Sequence, residues 1–159
     1  MKKYLEKQST FSFTLKIFAF FAKQKFFSRI TQFLTNTAAS FNIKLNKPTP
    51  ATDIEALASA WQQMMPPDGQ KYFKITQTDQ NTAYTEIHLK CPLQGTGNVE
   101  ACYKLMNYDR KLMKAVGGEL VVLESQSNSG KKHCRLAIRK QGDDLSDLTP
   151  AHLKAKKQE

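Results

Sequence analysis

The sequence predicts an α+β fold in which N-terminal helices precede a β-β-α-β-β unit with a four-stranded antiparallel sheet. Apolar residues recur at helical spacing in the first third of the chain. Four later segments alternate polar and apolar side chains, as half-buried strands do. Between the second and third of these segments lies a helical pattern, with Asn98 and Gly117-Gly118 as its start and stop signals.

Composition and charge divide the chain into three parts. Its 159 residues, 40% of them hydrophobic and 24% charged, suit one globular domain. We assign residues 1–47 to a basic, Phe-rich helical segment, 48–142 to an α+β ligand-binding-type domain and 143–159 to a polar tail. Most of the net charge of +10 lies in residues 1–47, which carry nine Lys and Arg against one acid. Because a nucleic-acid-binding domain has its basic residues on the folded body, we expect no nucleic-acid partner.

The N-terminal segment predicts a long helix over residues 11–41, where nine of the ten Phe residues lie. Lysines interrupt its apolar run, so it does not predict a membrane-spanning helix. The favoured interpretation is a helix packed on the body or on a second subunit, which would make the protein a homodimer. The alternatives are a basic amphipathic helix on an anionic membrane surface and, less favoured, a signal or anchor.

The next segments predict a linker and a second helix. Pro48 and Pro50 mark residues 46–50 as the linker. Thr52 is the predicted N-cap of the helix, and residues 66–69, Pro-Pro-Asp-Gly, end it. Its apolar stripe consists of Ile54, Leu57, Ala58, Trp61 and Met65.

The β-β-α-β-β unit has predicted strands at residues 71–78, 82–91, 119–126 and 132–139, with the helix at 99–116. In the second strand, alternation places Cys91 on the inner face and His88 on the outer face. The inner positions are Ala83, Thr85, Ile87, Leu89 and Cys91 in the second strand, Val99, Cys102, Met106 and Met113 in the helix, and Cys134, Leu136 and Ile138 in the last strand.

The three cysteines lie on the apolar sides of separate elements, so they are expected to meet in one core region. Cys102 and Cys134 should be buried against the same sheet face, with Cys91 beside them and with Glu124 and His133 nearby. His133 or Cys91 could join Cys102, Glu124 and Cys134 as a zinc ligand, although alternation points His133 away from Cys134. An odd number of cysteines, two of them core-facing, favours a reducing compartment, so we expect a cytoplasmic protein, with membrane association as the alternative. A thiol nucleophile at Cys91 would need His88 as its base, which requires the strand to bend at Pro92.

The loop of residues 91–98 feeds a helix N-terminus and contains Gly95 and Gly97. Free backbone N–H groups in such a loop can hold a carboxylate or phosphate. The alternative is an ordinary β-to-α turn in which Asn98 caps the helix. Tyr84, Glu86 and His88 predict a separate polar patch on the outer face of the second strand.

Residues 71–140 resemble the vinyl-reductase-type small-ligand-binding domains and the related amino-thiazoline-carboxylate hydrolases. The residues that carry the resemblance are Lys90-Cys91-Pro92, Cys102 followed by Asp109, and the stretch from Glu124 to Cys134. In some relatives three cysteines and a glutamate bind zinc. Cys102, Glu124 and Cys134 fall on that pattern, but Ser127 replaces the remaining cysteine. We therefore expect no metal or other cofactor; if a metal binds, those three residues are its expected ligands.

The resemblance implies a small-molecule or acyl-ligand-binding domain whose ligand is a small apolar or carboxylate molecule. The expected ligand-binding residues are Cys91, Gly95, Gly97, Asn98, Cys102, Met106, Glu124 and Cys134. The first alternative is a hydrolase of a small cyclic or thioester substrate, with Cys91 or Cys102 as its reactive group. The second alternative is a peripheral membrane or interaction protein. An apolar cavity would favour the binding domain, and a polar pocket with a perturbed thiol would favour the enzyme.

Overall fold

The computed structural model describes residues 16–17, 19–20, 28–65 and 69–156. It confirms the α+β class and the four-stranded antiparallel sheet, whose strand order is β1-β2-β4-β3. Two hairpins, β1–β2 and β3–β4, join through the pairing of β2 with β4. The elements are α1 (Ser28–Asn46), α2 (Ile54–Gln63), α3 (Gly69–Tyr72), β1 (Phe73–Thr78), β2 (Ala83–Ile87), α4 (Val99–Leu105), α5 (Asn107–Ala115), β3 (Gly118–Glu124), β4 (Cys134–Lys140) and α6 (Ala151–Lys156).

The N-terminal helix packs on α5 through small and polar side chains. Thr31, Thr35 and Ala39 are fully buried, and Asn42 donates hydrogen bonds to the Tyr108 hydroxyl and the Met64 carbonyl at 2.7 and 2.9 Å. Of the predicted helix over residues 11–41, positions 18 and 21–27 and those before 16 lie outside the described residues. Within the described part of the chain, none of the helices has the length and apolar character that crossing a membrane requires.

The second helix begins one residue later than the sequence predicted. Asp53 is its N-cap, because the Asp53 carboxylate accepts a 2.8 Å hydrogen bond from the Ala56 N–H. The predicted cap, Thr52, instead donates to that carboxylate. The apolar stripe is correct: Trp61 is fully buried and meets the Phe73 ring edge-on at 5.4 Å. The predicted stop signal at 66–68 lies outside the described residues.

The predicted bounds of all four strands and of the helix between them differ from the structure, and three of these differences affect the site. The first strand begins at Phe73, since Lys71 and Tyr72 belong to α3. The second strand ends at Ile87, which leaves Cys91 in the following loop. The helix predicted over 99–116 is two helices, α4 and α5, separated at Met106. Asn107 opens α5 and binds α1 through the Asn36 side chain at 2.9 Å, so tertiary contact accompanies the break.

The helices lie on one face of the sheet and cover its apolar side chains. Helix α2 contacts β1, β2 and β4, while α5 contacts β3. Helices α2 and α5 pack closely on the start of β3, because a Cβ atom added to Gly118 would lie only 2.8 Å from the Leu57 and Met113 side chains. The sheet contributes Phe73, Ala83, Thr85, Ile87, Leu120, Val122, Cys134, Leu136 and Ile138 to this buried side. Each large apolar side chain buried here contributes about 1.5–3 kcal/mol.

The C-terminal segment, predicted as a polar tail, is docked on the body over its described length. Arg139 of β4 forms a two-pronged ion pair with Asp147, with both N–O distances 2.6 Å. Leu148 and Ala151 are buried. Helix α6 then brings the His152 ring to 4.0 Å from the Tyr103 ring of α4. The segment therefore reaches from the outer face of the sheet, past the free edge of β3, to the helical layer.

Candidate functional site

Cys102 and Cys134 meet beneath the helix-covered face of the sheet, which confirms the prediction that both are buried there. A hydrogen bond between the two thiols lowers the pKa of Cys102, and the Ser125 hydroxyl and the Arg110 charge act in the same direction. The shared contact and burial raise the pKa of Cys134 above its usual range. If one thiol of the pair ionises, it is therefore Cys102.

Cys91 is half-buried in the loop after β2, where its sulfur accepts a hydrogen bond from the Leu93 N–H at 3.4 Å. The pairing with His88 that a Cys91 nucleophile would need is not among the contacts of His88. His88 Nε2 lies 2.7 Å from a Glu86 carboxylate oxygen, and the His88 ring stacks on His133. The His88 imidazole is therefore engaged by Glu86 and His133.

Glu124 does not join the thiol pair. The register of β3 shifts between Val122 and Glu124, and this bulge places Glu124 opposite Arg135. Its carboxylate lies 2.5 Å from Lys131 Nζ, whose hydrogen bond lowers the pKa of Glu124. A register shift of one residue moves a side chain to the other sheet face. The conditional metal set of Cys102, Glu124 and Cys134 is therefore separated by the sheet.

The glycine loop is a β-to-α turn that binds another loop. The Gly95 N–H donates to the Gln126 carbonyl at 3.0 Å, and the Gly97 N–H donates to the Ser127 carbonyl at 2.7 Å. Both glycines have positive φ, 69° and 70°, as the turn requires. Asn98 caps α4 by accepting from the Ala101 N–H at 2.9 Å, as predicted. These donors are used within the fold, so the loop does not offer them to an anion.

Gln126 holds this junction together, and the sequence analysis missed it. The side chain is buried and its amide donates to the Ile87 and Leu89 carbonyls at 3.3 and 3.0 Å. Its oxygen accepts from the Cys91 N–H at 3.3 Å, and its own N–H donates to Cys134 Sγ at 3.4 Å. Only its position at the end of a predicted strand marked it, since a lone Gln usually lies on the surface.

A cleft of about 290 Å³ lies beside the free edge of β3. Helices α4 and α5 form one wall and the C-terminal segment forms the other. The cleft is lined by Tyr103, Arg110, Lys114, Glu119, Leu120, Val121, Val122, Leu145, Pro150 and His152. None of the ligand-binding residues expected from the sequence lines it; Cys102 lies next to Tyr103 in the chain, and Met106 is buried at the α4–α5 junction.

Arg110 is the central charged group of the cleft. Its guanidinium lies over the Tyr103 ring, 4.1 Å from the ring centre, and donates to the Tyr103 carbonyl at 2.6 Å. Burial lowers the pKa of Arg110, which means that the surroundings penalise its charge. The ion pairs formed within the described residues leave Arg110 out. The seven-residue spacing of Tyr103 and Arg110 was a signal for a shared helix side, but the part played by His152 was not visible in the sequence.

Asp109 lies behind the cleft in the core. Its carboxylate accepts a 3.0 Å hydrogen bond from the Trp61 indole N–H. Burial raises the pKa of Asp109 to about 6, and the Trp61 hydrogen bond and the Arg110 charge oppose that rise. Asp109 therefore links α5 to α2 through this hydrogen bond, while its burial disfavours the charged form of the carboxyl group.

Comparisons with protein-family models, with curated proteins and with solved structures found no match. The resemblance to the small-ligand-binding domains and their hydrolase relatives, which was drawn from short motifs, therefore stays a prediction. Two surfaces of the described residues are candidates for function: the cleft around Arg110 and the outer side of α1.

Proposed function

We propose that the domain binds a small carboxylate-bearing molecule in the cleft beside β3. The observation that carries the proposal is the half-buried guanidinium of Arg110, which faces the cleft without a carboxylate partner among the described ion pairs. A buried charge is costly unless it is paired. The charge of the buried Asp109 carboxyl acts on Arg110 without forming an ion pair with it, and a carboxylate ligand in the cleft would add charge-assisted hydrogen bonds worth about 1.5–3 kcal/mol.

The other lining groups fit the same ligand class. Lys114 adds a second positive charge to the cleft. Glu119 would repel a ligand carboxylate, and it could accept a hydrogen bond from a hydroxyl or amine group of the ligand. Leu120, Leu145 and Pro150 supply apolar walls for the rest of the molecule. The volume of about 290 Å³ lies at the lower end of ligand pockets, so the ligand is small.

The test compares carboxylates with their neutral amides. Short-chain and aromatic carboxylic acids and the matching carboxamides are titrated into the full-length protein by calorimetry. We expect the acids to bind at least tenfold more tightly than the amides. Arg110→Gln should remove that difference, and Arg135→Gln is the matched control because Arg135 stacks on a tyrosine, Tyr84, on the outer face of the sheet. Equal binding of acids and amides, or unchanged binding by Arg110→Gln, would refute the proposal.

A second observation favours the peripheral-membrane alternative, which we propose as an additional property of the N-terminal helix. The outer side of α1 exposes Ile30, Phe33, Phe41 and Leu45 at 42, 68, 64 and 66%. At 100° per residue they cover roughly a third of the helix circumference. The opposite side is the polar contact with α5. This helix thus turns its polar side to the body and its apolar side outward.

Charge complementarity selects an anionic lipid surface as the occupant of the outer side of α1. The segment of residues 1–47 carries nine Lys and Arg against one acid, and basic residues strengthen the binding of an amphipathic helix to anionic lipids. A protein partner would not need this excess of positive charge.

Vesicle co-sedimentation of the full-length protein tests this second proposal. We expect binding to vesicles that contain phosphatidylglycerol, weaker binding at high salt, and little binding to phosphatidylcholine alone. Phe33→Ser with Phe41→Ser should abolish binding, while Gln32→Ser, at an exposed polar position of α1, should not. If the double variant instead converts a dimer to a monomer and the wild type ignores lipid, a second copy of the chain covers this side.

A further inference from the structure

We propose that Glu86, His88 and His133 bind a divalent first-row transition metal, with Zn²⁺ as the foremost candidate. One ligand atom from each residue lies within 4.8 Å of the others, and all three residues are half-buried. The site is separate from the cleft around Arg110 and does not depend on the proposed ligand. It also differs from the cysteine-based set that the sequence analysis considered.

The strand register brings the three residues together. Ile87 of β2 pairs with Cys134 of β4, and both point into the core. Because successive side chains alternate between sheet faces, Glu86 and the residues that flank this pair, His88 and His133, lie on the opposite, outer face. The His88 N–H donates to the Tyr72 carbonyl at 2.6 Å, which fixes the His88 backbone just beyond the strand end.

The side chains converge on the two carboxylate oxygens of Glu86. His88 Nε2 lies 2.7 Å from one oxygen, and His133 Nε2 lies 3.6 Å from the other. The imidazole rings stack with centres 5.1 Å apart and planes 25° from parallel. In a tetrahedral zinc site, bonds of about 2.0–2.1 Å separate neighbouring ligand atoms by about 3.3 Å. The two histidine-to-carboxylate distances lie on either side of that value, and all three ligand atoms lie within 4.8 Å of one another, so rotation of the side chains would bring them to the spacing that zinc requires.

The donor chemistry indicates the metal class. Imidazole suits zinc, copper, iron and nickel, and two imidazoles with one carboxylate leave a fourth position for water. A metal ion would lie between Nε2 and Glu86, which now contact each other directly, and the carboxylate would offset one of the ion's charges. Arg135 pairs with Glu86 in the strand register, but its guanidinium lies over the Tyr84 ring, 5.1 Å from the ring centre. The charge of Arg135 therefore forms a cation–π contact with Tyr84.

The three histidines of the chain allow a matched test, because His152 belongs to the cleft. Metal-free full-length protein is titrated with Zn²⁺ by calorimetry. We expect one ion per chain, an affinity at least tenfold lower in His88→Ala and in His133→Ala, and wild-type affinity in His152→Ala. Glu86→Gln keeps the shape of the side chain and should also bind at least tenfold more weakly.

Cobalt spectroscopy separates this site from the thiol pair. Co²⁺ bound by Glu86 and the two histidines should give d–d absorption without a thiolate-to-cobalt charge-transfer band in the near ultraviolet. The same spectrum should persist in Cys102→Ser. A charge-transfer band that is lost in Cys102→Ser would place the ion at the cysteines and overturn the proposal. So would the absence of zinc binding by the wild type, or wild-type affinity in both His88→Ala and His133→Ala.

Discussion

Replacing Asp109 by asparagine should stabilise the protein at neutral pH and remove a pH dependence that the buried acid imposes. The Asp109 carboxyl is buried, and burial raises its pKa to about 6. In the unfolded chain the pKa of an aspartate is about 3.9. Between these two values the folded state holds a proton that the unfolded state has lost.

The sign of the effect follows from this proton. Because the folded state binds more protons, the free energy of unfolding falls as pH rises from about 4 to about 6. The stabilisation from a protonated Asp109 is fully present below about pH 4 and is lost above about pH 6. A difference of roughly two pKa units corresponds to about 3 kcal/mol at 1.36 kcal/mol per unit.

The asparagine of the Asp109→Asn variant would keep the hydrogen bond from the Trp61 indole, since its side-chain oxygen can take the place of the carboxylate oxygen that accepts it. Its amide would bring N–H donors whose burial offsets about 1 kcal/mol of the gain. We therefore expect Asp109→Asn to be more stable than the wild type by about 2 kcal/mol at pH 7. Below pH 4, where the wild-type carboxyl is protonated in both states, only the cost of the buried amide remains and the variant should be less stable by about 1 kcal/mol.

Urea unfolding from pH 4 to 7.5 measures this effect in the wild type and in Asp109→Asn. Asp143→Asn, an exposed acid on the segment after β4, is the control and should match the wild type. Any pH dependence that the three proteins share cancels in the difference. Parallel stability curves for the wild type and Asp109→Asn, or a variant less stable at pH 7, would refute the reasoning.

Three further predictions concern the junction, the docked segment and the thiols. Gln126→Ala leaves three backbone groups without their partner and should lower the free energy of unfolding by about 3 kcal/mol. The control, Gln94→Ala, changes an exposed residue on the adjoining loop and should alter that free energy by less than about 0.5 kcal/mol. Equal effects of the two variants in urea unfolding would contradict this prediction. Leu148→Ala should cost about 2 kcal/mol and Leu153→Ala little, because Leu148 is 8% exposed and Leu153 is 43% exposed; equal thermal midpoints would show that the segment is not docked. Cys91 is half-exposed and should react with iodoacetamide in the native protein about tenfold faster than the two buried cysteines, as measured by peptide mass spectrometry. Faster labelling of a buried cysteine would favour the hydrolase alternative.

The sheet was predictable because its signals are local. Alternation in β2 and β4 placed Thr85, Ile87, Leu136 and Ile138 on the buried face without reference to any other segment. The cap at Asn98 was equally local, because a side chain three residues from its N–H partner satisfies the helix end. Burial of Cys102 and Cys134 followed from the same periodicities.

The errors arose where distant segments determine the conformation. Alternation alone would continue β2 to Cys91, but its last partner in β4 is Cys134, opposite Ile87, and the Gln126 amide binds the carbonyls beyond that point. The bulge that turns Glu124 to the outer face cannot be predicted from the alternation of polar and apolar residues in the strand. The cleft around Arg110 needed a wall from the C-terminal segment, whose polar composition predicted only a tail.

The hydrophobic pattern of the sequence did not predict which side of α1 packs on the body. Apolar spacing identifies a helix, but the side that meets the body is decided by complementarity. Here Asn42 donates to the Tyr108 hydroxyl of α5, and the Thr35 hydroxyl accepts from the Asn107 side chain of α5. Leaving four large apolar side chains exposed forgoes on the order of 6 kcal/mol of burial. That amount is comparable with the whole free energy of unfolding of a small domain, about 5–15 kcal/mol. A surface that withholds so much stabilisation from the fold is better explained by a partner it binds than by the fold itself, and for this basic helix we propose that the partner is lipid.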